Sequence, residues 1–194
     1  MPPTQPGRPR DASIDGAILA AAGRHLATHG YEAMSLVAVA EEAGTTRQAL
    51  YRRWPSKADL ATATIAQLAA AGEPAATDDP FVDLLAELTA FHAGVIRPNG
   101  ISMVGSMLQS GTDPDLADLY RSRVVSPRRR RLRRVLRRGV DADLLAADAD
   151  VDTAVAACTG ALYALALADD RIPRTWPSRT ARFVWRACGG QAPT

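Results

Sequence analysis

SLVAVAEEAGTTRQALYRRWPSKADL, residues 35–60, is the stretch whose reading decides the fold. Ser35 offers an N-cap oxygen, and Leu36, Val39, Ala40 and Ala43 then recur at helical spacing, one apolar face over two turns. Gly44 stands where the chain must leave that helix through the left-handed region, which glycine enters without steric cost. Thr46 caps a second, very short helix that carries Arg47, Gln48, Tyr51, Arg52 and Arg53 around a buried Leu50. Trp54-Pro55 stops it. Ser56 then caps a longer helix, with Asp59 three residues on completing a capping-box-like signal. Between Gly44 and Lys57 four side chains are basic and none is acidic. Helix, glycine turn and short basic helix are the parts of a helix-turn-helix, whose second helix enters the major groove of DNA.

Within this stretch AEEAGTTRQALYRRWPSKADL resembles the N-terminal signature of tetracycline-repressor-type (TetR/AcrR) regulators. The matching residues are Ala40, Ala43, Gly44, Thr46, Leu50, Tyr51, Pro55, Ser56, Lys57 and Leu60. With its upstream helix the signature covers about the first 60 residues, and the Tyr-x-x-aromatic-x-x-Lys tail separates it from helix-turn-helix units at large. Thr45, Gln48 and Trp54 depart from the usual Val, Gly and Phe, and Val37 stands where a polar or basic residue often touches DNA.

The residue types fit DNA contact independently of the resemblance. Arg47 and Gln48 open the short helix, whose first turn faces base edges, and arginine pairs best with guanine. Thr46, Tyr51 and Lys57 are candidates for phosphates, Lys57 at a helix start where backbone amides also attract anions. Thr45, Arg52 and Arg53 complete the candidate set.

Upstream, Ser13 to His29 reads as a helix burying Ile14, Ile18, Ala21, Ala22 and Leu26, ended by Gly30. Residues 1–12 form a Pro- and Arg-rich arm. Arg8 and Arg10 either reach into a minor groove, as homeodomain arms do, or belong to a solvated tail. His25 and His29 lie one turn apart with no third ligand near in sequence, so no metal is expected.

Downstream, helices are expected over Lys57 to about Ala71, from Pro80 behind Asp79, over Ile101 to about Ser110, and from Pro114. Ser126-Pro127 should kink the last of these. A loop over Gly139–Asp150 then precedes helices over about Val151–Ala168 and Pro177–Cys188. No run alternates in the manner of a strand. The expected fold class is therefore all-α, about nine helices: an arm at 1–12, a three-helix helix-turn-helix head over 13–57, and a helical body over 58–194.

Composition agrees. Of 194 residues 47% are hydrophobic and only 5% aromatic, with alanine dominant, which favours helix. Net charge is +2, so the distribution matters more than the total. Residues 61–120 hold one basic and eight acidic groups, and 121–138 hold ten basic and no acidic ones. RRRRLRRVLRR, residues 128–138, could form a second anion-binding surface, yet Leu132, Val135 and Leu136 keep an apolar face. With acidic segments available to pair with, the run reads as a largely solvated face that does not carry DNA affinity.

Cys158 and Cys188 have no metal or disulfide spacing and read as buried thiols. The apolar run over 153–168 is shorter than the ~20 residues of a membrane span. With no secretory signal ahead of the first helix, a cytoplasmic protein without a membrane partner is expected. Phosphate-cradling glycine loops, HExxH, nucleophile elbows and Cys–His constellations are absent, so neither an enzyme nor a cofactor is expected.

The remaining length implies assembly, sensing, or both. The 151–168 helix is too apolar to face water, and with the last helix it suggests, as the family resemblance implies, a four-helix interface of a homodimer. Val155, Cys158, Leu162, Leu165 and Phe183 are its candidate residues. The resemblance also implies an effector pocket among the intervening helices, for which Phe91, His92, Met103, Met107 and Tyr120 are candidate lining. The expected function is a dimeric repressor released from a palindromic operator by a small apolar ligand. A ligand-independent architectural nucleic-acid binder is the alternative.

Overall fold

The computed structural model describes residues 12–98, 100, 114–168 and 171–191, whose regular structure is entirely helical. The first four helices are α1 (Ala12–Ala33), α2 (Leu36–Glu42), α3 (Arg47–Tyr51) and α4 (Lys57–Ala71). Each boundary has a local cause. Gly30, at φ 74° and ψ 179°, breaks α1 near its end. The Ser35 hydroxyl caps α2 through Ala38 N, and Thr46 caps α3 through Ala49 N at 3.1 Å. Gly44 takes φ 65° between them, and Ser56 caps α4 through Asp59 N at 3.0 Å.

The chain continues through α5 (Pro80–Val95), α6 (Pro114–Tyr120), a π-helical segment (Arg121–Val125), α7 (Ser126–Asp141), α8 (Val151–Leu167) and α9 (Trp176–Ala187). Asp79 caps α5, its carboxylate accepting from the Phe81 and Val82 amides. The helix expected over 101–110 lies outside the described residues. The kink expected at Ser126-Pro127 is a π turn. Pro127 has no N–H and its ring would strike the carbonyl four residues back, and widening the preceding turn relieves both. Ser126 N then donates to Arg121 O, five residues back.

Two groups of buried side chains organise these elements. In the first, Ile18, Ala21 and Ala22 of α1 pack with Val39, Leu50, Leu60 and Ala61, and Leu116, Tyr120 and Val124 join from α6 and the π segment. In the second, Leu84, Leu88 and Phe91 of α5 meet Leu132 and Leu136 of α7, Val155, Cys158 and Leu162 of α8, and Trp176, Val184 and Trp185 of α9. Each fully buried leucine contributes about 1.5–3 kcal/mol. Gly139 lets α7 approach α9: a Cβ there would meet Leu145 Cδ1 at 2.9 Å and the Trp185 ring at 3.0 Å.

Polar ties knit the layers. Arg123 of the π segment grips the first turn of α4, with Nη2 on Asp59 Oδ1 at 2.7 Å and Nη1 on Thr62 Oγ1 at 2.9 Å. The arginine-rich α7 is partly paired with acids on both sides of it in sequence. Arg131 donates to Glu87 (2.7 Å) and Glu73 (3.2 Å), Arg138 to Asp83 (2.6 Å), and Arg133 to Asp152. Burial pushes the Asp83 carboxyl up, but the Thr77 hydroxyl and amide together with Arg138 outweigh it and leave its pKa below the ordinary aspartate value. Arg130, Arg134 and Arg137 stand exposed.

One expectation is overturned in α8. Val155, Cys158 and Leu162 are fully buried inside this subunit, against α5, α7 and α9, and cannot meet a second copy. The helix is apolar on nearly all sides, so periodicity did not distinguish the stripe facing its own core from the one facing outward. The outward stripe is Gly160, Ala161 and Ala164, with Ala157 and Leu165 at its margin. Burial raises the Cys158 thiol to about 12, so it is an inert packing group.

Candidate functional site

The short α3 is held from behind. Leu50 is fully buried under it, and Arg53 points inward, donating to the Asp15 carboxylate of α1 and, at 3.1 Å, to the Ala49 carbonyl. The Arg53 side chain is only 13% exposed. This corrects its place in the candidate DNA-contacting set: it ties α3 to α1. Arg52, the preceding residue, is exposed, as are Gln48 and Arg47. Arg47 folds back along the helix, with Nη2 3.3 Å from the Tyr51 hydroxyl and the guanidinium 5.2 Å from its ring centroid.

Thr46 accepts the Ala49 amide, leaving its own hydroxyl proton to donate outward. Thr45, half-buried, gives its amide to Ala40 O at 2.9 Å and so fixes the turn. Lys57 donates to Glu32 O at 2.7 Å and lies 4.9 Å from the Tyr31 ring centroid. An ammonium has three protons, so two remain beside the α4 start. Arg8 and Arg10 lie outside the described residues. The outcome is one exposed face with Arg47, Gln48 and Arg52 in front, hydroxyls and Lys57 at its edges, and no acidic residue in α3.

A second feature lies behind the head. A cavity of about 250 Å³ is walled by α1 and α4 (Gly23, Leu26, Ile65, Leu68) on one side and by α5, α6, the π segment and α7 on the other. Phe91 and Tyr120 line it as expected. Met103 and Met107 lie outside the described residues. His92 does not reach the cavity: it is buried and stacked on Trp176, ring centroids 6.0 Å apart. Its Nε2 has no hydrogen-bond partner among the described residues, and burial lowers its pKa.

Arg128 and Arg131 line the cavity, although the sequence reading gave them to a solvated face. The overlooked signal is spacing: Arg128 precedes the buried Leu132 by one turn, on the same stripe as Val135 and Gly139. His25 and His29 ring centroids are 5.5 Å apart, and His25 contacts Glu42. Among the described residues no group of three or more His, Cys, Asp or Glu is placed to hold a metal. No described helix is long and apolar enough to cross a membrane.

An exposed basic α3 on a packed three-helix head, joined through α4 to a helical body with a cavity, defines the class of helix-turn-helix regulators with a sensor domain. The family model for bacterial regulatory proteins of the tetR family matches residues 18–64, and that for the tetracyclin repressor-like C-terminal domain matches 74–184. The chain belongs to the TetR family, and it is a transcriptional regulator with a DNA-binding helix-turn-helix and a ligand-binding C-terminal domain. It is similar to the uncharacterized HTH-type transcriptional regulator YdeS of Bacillus subtilis (strain 168), 26% identical over 169 residues, 86% of this chain and 85% of that one. The uncharacterized HTH-type transcriptional regulator Rv1556 of Mycobacterium tuberculosis (strain ATCC 25618 / H37Rv) is 29% identical over 148 residues, 72% and 68% of the two chains. The crystal structure of the TetR family transcription regulator SCO0332 superposes with a TM-score of 0.70 at 27% identity, covering 93% of this chain and all of that one.

Proposed function

We propose that this protein is a dimeric repressor that leaves a palindromic operator when a small, largely apolar molecule enters the cavity. The observation that carries the reading is the shared wall: α1 and α4, which pack the DNA-reading head, also line the cavity. In this reading residues 13–57 are the head and 58–194 the body, with α4 common to both.

Arg47 and Gln48 read base edges, while Thr46, Tyr51, Arg52 and Lys57 fix the phosphates and the Thr45 amide sets the turn. Arg8 and Arg10 extend the contact into a minor groove. One short recognition helix reads too few bases for affinity, so a second copy supplies the other half-site. Its seat is the outward stripe of α8 with α9, where Leu167 and Phe183 are 82% and 68% exposed and Leu165 flanks a shallow groove. Contiguous exposed apolar surface of this kind marks an interface.

Release follows from geometry. Two recognition helices must lie about 34–36 Å apart to meet successive major grooves. Val124 lines the cavity, and its neighbour Arg123 holds the start of α4 two residues beyond Lys57. A ligand that displaces the π segment or α4 therefore swings the head without touching DNA. A coupling of about 1–3 kcal/mol changes operator affinity about 5–150-fold, and linkage requires DNA to weaken ligand binding by the same factor.

The test is to footprint the protein on DNA flanking its own gene and then measure effector affinity with and without saturating operator. Weaker binding to the DNA-bound form is expected. Equal affinities would rule out that molecule as an inducer.

A further inference from the structure

One arginine of the α7 run, half-buried, has no ion-pair partner among the described residues. Arg128 lines the cavity, its guanidinium carbon 4.9 Å from the Phe91 ring centroid. Among the described residues no carboxylate stands within ion-pair distance of it; Glu87 gives one carboxylate oxygen to Arg131, which also reaches Glu73. The described lining contains Arg97, Arg128 and Arg131 but no aspartate, glutamate or histidine. The rest of the wall is mostly apolar, with Leu26, Ile65, Leu68 and Val124 facing Phe91.

This arrangement selects a ligand. A guanidinium does not deprotonate in proteins, so burial leaves Arg128 charged and costs free energy until an opposite charge joins it. Burial indeed pulls its pKa below the ordinary arginine value, and Arg131 adds to that while Glu87, Tyr120 and Tyr163 oppose it. A cationic effector would face three arginines. A neutral one would bury Arg128 further with only the longer-range attraction of Glu87 to answer its charge.

We propose that the effector is an organic acid, a small apolar body carrying one carboxylate, with the body against the Leu26–Leu68 wall and the carboxylate on the Arg128 guanidinium. The proposal rests on reading the cavity as the effector site. A single uncommitted, inward-facing fork matches one planar carboxylate, which it binds through two parallel N–H donors. At about 250 Å³ the cavity lies just below the ~300–1,000 Å³ range of drug-sized sites, which argues against a bulky polyanion.

The experiment titrates the full chain calorimetrically with octanoate and phenylbutyrate and with octanamide and phenylbutyramide, which keep the shapes without the charge. The acids should bind on the order of tenfold to a hundredfold tighter than their amides. Arg128→Met should erase that preference and leave amide binding unchanged, and Arg128→Lys should keep part of it. Arg130→Met, an exposed residue of the same run that does not line the cavity, should leave the preference intact. The Lys variant and the exposed control decide the matter even if Arg128→Met fails to fold.

Acids and amides that bind the wild type alike, both blocked by the cavity-filling Ala90→Trp, would overturn the organic-acid assignment and leave the effector site standing. Acids whose binding survives both Ala90→Trp and Arg128→Met would be bound elsewhere, and the assignment would fall. Absence of binding by every probe would overturn both the assignment and the effector-site reading.

Discussion

Arg52 and Arg53 are adjacent, identical in chemistry and opposite in placement, one exposed and one turned inward, so replacing each by methionine tests the proposed DNA contact against architecture. Arg53→Met removes the ion pair with Asp15, whose side chains are 13% and 28% exposed, and the hydrogen bond to the Ala49 carbonyl. A fully exposed pair contributes about 0–1 kcal/mol, and breaking a buried one costs about 3–5 kcal/mol. With Asp15 still reachable by water, the cost falls between these limits, at roughly 1–3 kcal/mol. For a chain of this size that lowers the melting temperature by about 2–12 °C. Methionine keeps the unbranched stem, so the loss is of polar bonds and little packing. Arg52→Met removes an exposed cation and should leave the melting temperature unchanged. It should weaken operator binding and reduce the slope of log affinity against log salt by about 1.8, the share of one phosphate contact at each half-site of the proposed dimer. Arg53→Met should leave that slope alone. Circular dichroism melts and fluorescence anisotropy over a salt series measure both quantities. A reduced salt slope with an unchanged melting temperature in Arg53→Met would refute the assignment of this side chain to the fold.

The same surface predicts that Gln48→Ala relaxes base preference at one operator position by about 1–3 kcal/mol without loss of stability, since Gln48 is exposed; selection from randomised operators checks it. Phe183→Glu with Leu167→Glu should shift the chain toward monomer in analytical ultracentrifugation, and the cavity-forming Leu162→Ala should cost about 2–5 kcal/mol while leaving self-association intact. Burial holds the folded pKa of His92 below its unfolded value, so the unfolded state binds the extra proton. Stability is then full above the unfolded pKa near 6.5 and falls as pH drops below it; melting between about pH 7.5 and 5.5 should show the slope, and His92→Gln should flatten it.

How much of this molecule its sequence determined can be seen element by element. Ser35, Thr46, Ser56 and Asp79 cap the helices they were expected to cap, and Gly44 takes the left-handed turn. These are contacts between residues two or three apart, so local sequence contains both partners. The helical class and the family follow from the same local signals. Partner choice is another matter. Successive helix residues point about 100° apart, so Arg52 and Arg53 face different surroundings, and only the position of α1 turns one into an anchor. In α8 two apolar stripes looked alike, and the packing of α5, α7 and α9 decided which became core. Arg128 looks like the rest of a solvated run until α5 and the other helices that wall the cavity close around it. Charge and hydrophobicity are properties of the chain. Burial depends on neighbours distant in sequence, and here it set the surroundings of Arg53, Val155, His92 and Arg128.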